Sequence, residues 1–289
     1  MHLPNQRHIQ SRLKISHTQI KQILWRYQTL KITDNTILIT GGSTGLGLAL
    51  AEELIKQDNT VIICGRSIEK LNNAKIKIPD LITYECDISN EQSICTLIEN
   101  IRKKHSSLNL LINNAGLMHL HDVANDSLSL KNQEMEILTN FYGVVALCDK
   151  LIPILKSKEQ SAILNITSGM AYMPFSVAPV YAASKAAVHS YSQSIRQALE
   201  KTSVKIFEAL PPMIDTEMSK DIEMPGMKKI SSEKLAKIII KGLQNDKLEI
   251  RPGMSAMMIR MYKMFPWMVN TMMAKMTPKI LLNLPKYQS

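Results

Sequence analysis

The chain has 289 residues, 45% hydrophobic and 21% charged, enough for one large α/β domain with a substantial core. Its net charge of +10 sits at the ends: residues 1–33 and 250–289 hold six Lys/Arg each and no Asp/Glu, while residues 34–249 hold 23 Lys/Arg against 25 Asp/Glu. That distribution excludes a basic nucleic-acid groove through the middle, and the lack of 18 consecutive apolar residues argues against a spanning helix.

From the N-terminus, Ile9, Leu13, Ile20, Ile23, Leu24 and Tyr27 recur at roughly helical intervals among basic residues. A helix docked on the body or lying on a membrane surface accounts for this better than a transit peptide. No continuous apolar h-region marks a secretory leader. Ile37–Ile39 is then a buried strand, leading into Thr40-Gly-Gly-Ser-Thr-Gly-Leu-Gly47 and an amphipathic helix over Leu48–Ile55. Strand, glycine turn and helix are the context of a phosphate-cradling loop. Gly41 allows the turn, Gly45 admits the pyrophosphate, and Gly47 lets helix and strand pack closely.

Strands follow at Thr60–Cys64, Leu81–Cys86, Leu108–Ile112, Ala162–Ile166, Val204–Leu210 and Lys247–Ile250. Between them the pattern predicts helices over 68–77, 91–104, 134–155, 179–200 and 232–243. Regular alternation implies a parallel sheet covered on both faces. Cys64, Cys86, Cys95 and Cys148 have neither C-x-x-C nor metal-ligand spacing and suit a reduced cytosolic protein. His119 and His121 invite a metal reading, but no partner cluster accompanies them, and loop histidines are the commoner case.

Chemistry enters with Ser168, Tyr181 and Lys185, spaced S-x12-Y-x3-K. Tyr181 and Lys185 share a helix face at i and i+4. A neighbouring ammonium favours the phenolate, and lowering a phenol pKa from ~10 by ~3 units takes about 4 kcal/mol of differential stabilisation. Tyr27 and Lys31 have the same spacing by chance, so the pair alone proves nothing.

Taken together, Thr40-Gly41-x3-Gly45-x-Gly47, Asn113-Asn-Ala-Gly116, Asn140 and the Ser168/Tyr181/Lys185 set resemble the short-chain dehydrogenase/reductase family over about residues 34–250. Ala178–Ser190 and Phe207–Pro212 look like its DltE-type branch. The resemblance implies a Rossmann-like doubly wound sheet of order 3-2-1-4-5-6-7 in one domain, with extensions at 1–33 and 251–289. It also implies carbonyl/alcohol interconversion with a nicotinamide cofactor and a homo-oligomer. Tyr181 would be the acid or base, and Lys185 would tune it and bind ribose. Ser168 would polarise the substrate oxygen, and Asn140 would hold a water linking Lys185 to solvent. The cofactor contacts would fall to Thr40, Gly41, Ser43, Thr44, Gly45, Leu46, Gly47, Arg66, Ser67, Asp87, Asn114, Ala115, Gly116, Tyr181, Lys185 and Thr216. Pro211-Pro212 departs from the family's usual Pro-Gly and puts Thr216 in question.

After the second strand, Gly65-Arg66-Ser67 replaces the acid that grips ribose hydroxyls in many NAD folds. Arg66 either clamps a 2′-phosphate or is a solvated arginine; the former favours NADP(H) over NAD(H). Asp87 either faces the adenine or serves a turn or cap. Met170–Phe175 reads as an apolar substrate wall, and residues 254–276 add nine methionines with Phe265 and Trp267 among basic residues. That segment is expected as two short helices split at Pro266, over the cleft, at a subunit interface or on a membrane. The expected protein is a cytoplasmic oxidoreductase, peripheral at a membrane if the last reading holds, acting on a small or lipid-like substrate. Its alternative is a non-catalytic dinucleotide-binding sensor or scaffold on the same fold.

Overall fold

A computed structural model describes residues 29–126, 128–223 and 228–282. Most of the basic N-terminal segment, with Tyr27, lies outside the described residues.

The strands form where apolar runs are long enough to be buried on both faces. β1 (Thr36–Thr40) and β5 (Ser161–Ile166) are buried at every position, and β2 (Thr60–Gly65), β4 (Leu108–Asn113) and β6 (Val204–Ala209) at most. With edge strands β3 (Ile82–Glu85) and β9 (Glu249–Ile250) they make one seven-stranded sheet of order β3-β2-β1-β4-β5-β6-β9. All of its pairings are parallel, as the strand and helix alternation required. A second, two-stranded parallel sheet pairs β7 (Ile214–Asp215) with β8 (Ile230–Ser231); such short strands leave no periodic trace in sequence.

One core face holds α1 (Gly45–Ile55) and α7 (Ser232–Gln244), where Leu50, Leu54, Leu235 and Ile239 are fully buried. The other holds α3 (Glu91–Lys104) and α5 (Gly143–Lys156), which bury Ile94, Ile101, Leu147 and Leu151. Local chemistry sets the helix starts: Ser67 caps α2 (Ile68–Lys77), Asn90 caps α3, and Ser231 caps α7, each accepting a backbone N–H three residues on. The 179–200 prediction is met by α6 (Pro179–Ala198), with Pro179 in its first turn.

The helix expected over 134–155 starts earlier, at α4 (Leu130–Ile137), capped by Ser129. It passes through a π-turn, Leu138–Tyr142, before continuing as α5. The joined run Leu130–Lys156 is long and apolar enough to cross a membrane by length and composition, a test that a core helix passes as well. Here Val144, Leu147, Leu151 and Leu155 spend that apolarity on the sheet.

The methionine-rich segment forms α8 (Met254–Met264) and α9 (Pro266–Leu282), broken where Pro266 was expected to break it. Met258, Val269, Met273 and Ile280 are buried in a third core cluster with Met173, Phe175 and Ile222. Of the expected packings, the structure has the one over the cleft.

Asparagine side chains link the central strands to each other and to α6. Asn113 Nδ2 donates to Asn165 Oδ1 at 2.8 Å, joining β4 to β5, and Asn165 Nδ2 donates to Ser192 Oγ on α6 at 2.8 Å. Asn113 thus ties the ends of β4 and β5 together. Leaving such buried groups unpaired costs about 1–3 kcal/mol, so Asn165→Leu should lower unfolding free energy by that amount in urea titrations at unchanged m-value.

Candidate active site

The glycine loop and the Asn113–Gly116 segment are built as one object. Thr40 Oγ1 accepts from the backbone N–H of both Asn114 and Ala115 at 3.0 Å, and Asn114 Nδ2 donates back to the Thr40 and Gly41 carbonyls at 3.0 and 3.2 Å. Gly41 has φ +61°, and a Cβ there would stand 2.9 Å from Ala115 Cα. A Cβ on Gly47 would stand 2.3 Å from the Gly41 carbonyl oxygen. Thr44 precedes α1 without capping it through its side chain, so the first-turn N–H groups of α1 face the loop available to an anion. The glycines and the open helix end fit a dinucleotide pyrophosphate.

A cavity of about 570 Å³ runs from this loop across the C-terminal ends of the strands. Ser43, Thr44, Gly45, Leu46, Arg66, Ser67, Asp87, Asn114, Ala115, Gly116 and Thr216 all line it. Thr216 survives the altered Pro211-Pro212 turn: its Cγ2 would lie 3.2 Å from a Cβ on Gly45. Ser67 Oγ also accepts the Lys70 N–H that caps α2. Asp87 Oδ1 accepts from the Ser89 N–H and hydroxyl at 2.9 and 2.7 Å, the turn role weighed for it, while still facing the cavity. Lys70 lines the cavity near Arg66 and was missed; its signal was the Arg-Ser-x-x-Lys spacing into a helix start.

At the other end Gly116 is where two distant elements meet. A Cβ on it would lie 3.3 Å from Asn140 Oδ1 and 3.5 Å from Lys185 Nζ. Lys185 is buried on α6 and donates to the Ile166 carbonyl at 3.0 Å; burial lowers its pKa to about 8. Ser168 lies two residues past β5, and its Oγ accepts the Met170 N–H at 3.1 Å. Tyr181 sits beside them with Lys185 Nζ 5.8 Å from its ring centre. Burial raises the Tyr181 pKa, the Ser168 hydroxyl lowers it, and the negative charge of Glu136 raises it further.

Lys185 Nζ spends one of its three N–H donors on the Ile166 carbonyl, and burial holds the Tyr181 phenol above its ordinary range. The Asn140 side chain is also spoken for: Oδ1 accepts from Leu117 N–H at 2.7 Å, and Nδ2 donates to Leu117 O and Ser184 Oγ at 2.8 and 3.0 Å. It clamps the loop after Gly116.

A model of the short chain dehydrogenase family matches residues 35–225. The uncharacterized oxidoreductase DltE of Bacillus subtilis (strain 168) is 41% identical over 76% of this chain and 89% of its own length. The chain belongs to the short chain dehydrogenase family. It is therefore an oxidoreductase of the CH–OH/C=O class that works with NAD(P). An uncharacterized oxidoreductase of Staphylococcus saprophyticus is 28% identical over 74% of the chain and 93% of its own length. Among solved structures, a Burkholderia cenocepacia short chain dehydrogenase in complex with NADP superposes with TM-score 0.75 at 24% identity, covering 84% of this chain and 99% of its own. A Burkholderia phymatum relative in complex with NAD gives 0.73 at 17%, covering 81% and 95%. At these identities the two structures speak for the fold alone.

Within this dehydrogenase, two buried carboxylates escaped the sequence reading. Glu136 on α4 is fully buried; its Oε1 accepts from His119 N–H and stands 3.0 Å from His119 Nδ1, and burial raises its pKa. His119 is thus a carboxylate partner, and His121 is a buried loop histidine whose N–H donates to the Val177 carbonyl at 3.0 Å.

Glu208 on β6 is also fully buried, accepting from Thr167 Oγ1 at 2.6 Å and standing 2.8 Å from His189 Nδ1. His189 and Glu208 fall inside the two segments that resemble the DltE-type branch, and Thr167 is the neighbour of Ser168. Removing one partner of such a buried pair strands the other, at about 3–5 kcal/mol. Glu208→Ala should lose stability on that scale in urea denaturation, whereas the neutral isostere Glu208→Gln, which keeps an acceptor for Thr167, should lose less.

Proposed function

We propose that the protein is an NADP(H)-dependent oxidoreductase that interconverts an apolar carbonyl compound and its alcohol. The observation that carries this reading is a single cavity joining three things: the glycine loop, the Ser168/Tyr181/Lys185 group, and a wall of Met170, Met173, Phe175, Met254, Met258 and Met273. A non-catalytic sensor needs the loop but gains nothing from the proton-transfer group.

When bound, the cofactor supplies or takes up the hydride at its nicotinamide ring. The protein's part is to bind, orient and move one proton. In reduction Tyr181 donates its phenolic proton to the oxygen that develops negative charge, and in oxidation it takes that proton back. Burial keeps the phenol protonated at neutral pH, the form reduction needs. Ser168 Oγ–H donates a hydrogen bond to the same oxygen and stabilises its charge. Lys185, with a pKa of about 8, is mostly an ammonium at neutral pH and supplies positive charge beneath the ribose position. Arg66 and Lys70, at the far end of the cavity from Tyr181, suit a 2′-phosphate. The four cysteines, all unpaired, suit a reducing compartment such as the cytoplasm.

A panel of apolar aldehydes, ketones and alcohols, followed by NADPH absorbance, tests the activity; failure of every member to drive turnover would favour the sensor. Tyr181→Phe should cut kcat by about 10²–10⁴-fold while leaving NADPH affinity unchanged by fluorescence titration. Tyr27→Phe should be silent, and equal losses at the two positions would sink the assignment.

Arg66→Ala should weaken NADPH by about one to two decades, from the roughly 1.5–3 kcal/mol of a charge-assisted contact, and spare NADH. Tighter binding of NADH than NADPH by the unmodified protein would overturn the cofactor preference.

A further inference from the structure

Helices α8 and α9 have two sides in different surroundings. The inner side, with Met258, Val269 and Met273, is buried over the cavity. At the elbow between the helices, however, Lys263, Met264, Phe265, Pro266, Trp267 and Met268 are all exposed. Trp267 is 70% exposed, Met264 62% and Phe265 45%. Scattered apolar residues on a surface need no explanation; five in a row on one projecting turn do.

The charge around the elbow says what would cover it. Residues 250–289 hold six Lys/Arg and no acidic residue. Arg260, Lys263, Lys275 and Lys279 are exposed on these helices. A second copy docking elbow to elbow across a two-fold axis would bring one basic segment against another. An anionic lipid surface instead meets both features, taking the Trp, Phe and Met side chains into its interfacial layer and the basic groups among its headgroups. Tryptophan favours that layer because its ring is apolar and its N–H needs a polar partner.

We propose that the 263–268 elbow docks the protein peripherally on an anionic membrane, with Met264, Phe265, Trp267 and Met268 inserted. The lid that covers the apolar cavity then lies against the bilayer, placing the cavity wall next to a source of lipid-like substrates. Docking goes beyond the proposed reaction and stands whether or not turnover is found.

The test uses the full chain with Trp25→Phe, which leaves Trp267 as the only indole. Vesicles of phosphatidylglycerol and phosphatidylcholine should shift Trp267 emission to the blue and carry the protein into the pellet. Pure phosphatidylcholine should do so far more weakly, and raising salt should release the protein. In an otherwise unmodified chain, Phe265→Ala/Trp267→Ala should reduce sedimentation by about tenfold or more. Both side chains are exposed, so circular dichroism and the thermal midpoint should not change. No vesicle binding, or binding unaffected by the elbow variant and so carried elsewhere, would overturn the proposal. So would a Trp267 blue shift that appears without vesicles as the protein self-associates and disappears on dilution. Equal binding to neutral vesicles would overturn its electrostatic half.

Discussion

Everything at the site depends on the strap between the ends of β1 and β4. One hydroxyl, Thr40 Oγ1, accepts two backbone N–H groups, and one amide, Asn114 Nδ2, reaches two carbonyls. These contacts hold the Gly41 turn against Ala115 at a distance where no Cβ would fit. They also fix the direction in which the chain leaves Asn114. Gly116 consequently lands between Asn140 of the π-turn and Lys185 of α6, two residues 45 positions apart in the chain and on different helices. A hydroxyl lost at Thr40 would therefore be felt at the loop end of the cavity and at the Lys185 end together.

The second constraint is dielectric. Lys185, Tyr181 and Glu136 are all shifted toward their neutral forms, and burial is the first cause in each case. The sheet ends and the methionine lid exclude the water that would otherwise solvate these charges. Such a site holds a protonated phenol readily and a phenolate only with help. For Lys185 the sign is clear: a folded pKa of about 8, below its ordinary 10.5, means that burial of the ammonium opposes folding below pH 8. The opposition fades as pH rises from about 8 toward 10.5. A buried amine that costs stability at neutral pH is expected where chemistry, not packing, sets the residue.

What was legible in the sequence was local. The glycine loop, the Asn113–Gly116 segment and the Tyr181/Lys185 pair each occupy a few consecutive residues or one helix face, and the buried strands announce themselves as unbroken apolar runs. What was missed was long-range or disguised as surface. Glu136 reads as an ordinary helix-face acid until α4 packs against the loop carrying His119, and Glu208 reads as a polar interruption of a strand until His189 and Thr167 close on it. Lys70 reads as an ordinary helix lysine until the fold sets it with Arg66 on the cavity lining. The π-turn was invisible because a bulge of this kind changes hydrogen bonding without changing the periodic pattern enough to read.

The lid gives the cavity an apolar wall without a fixed contour. Its wall is built largely from methionines, unbranched side chains that rearrange at little cost and present polarisable, shapeless apolar surface. A wall of β-branched residues would have a fixed contour; this one can repack. The side facing outward follows other rules. There Lys263 Nζ sits 4.8 Å over the Tyr172 ring, which in turn packs 4.6 Å from the His189 ring and so reaches Glu208 and Thr167 beside Ser168. The elbow is thus joined to the Ser168 end of the cavity through rings and hydrogen-bonded groups, while the cavity wall itself stays adaptable. Rigidity is placed beside Ser168, and compliance along the methionine wall.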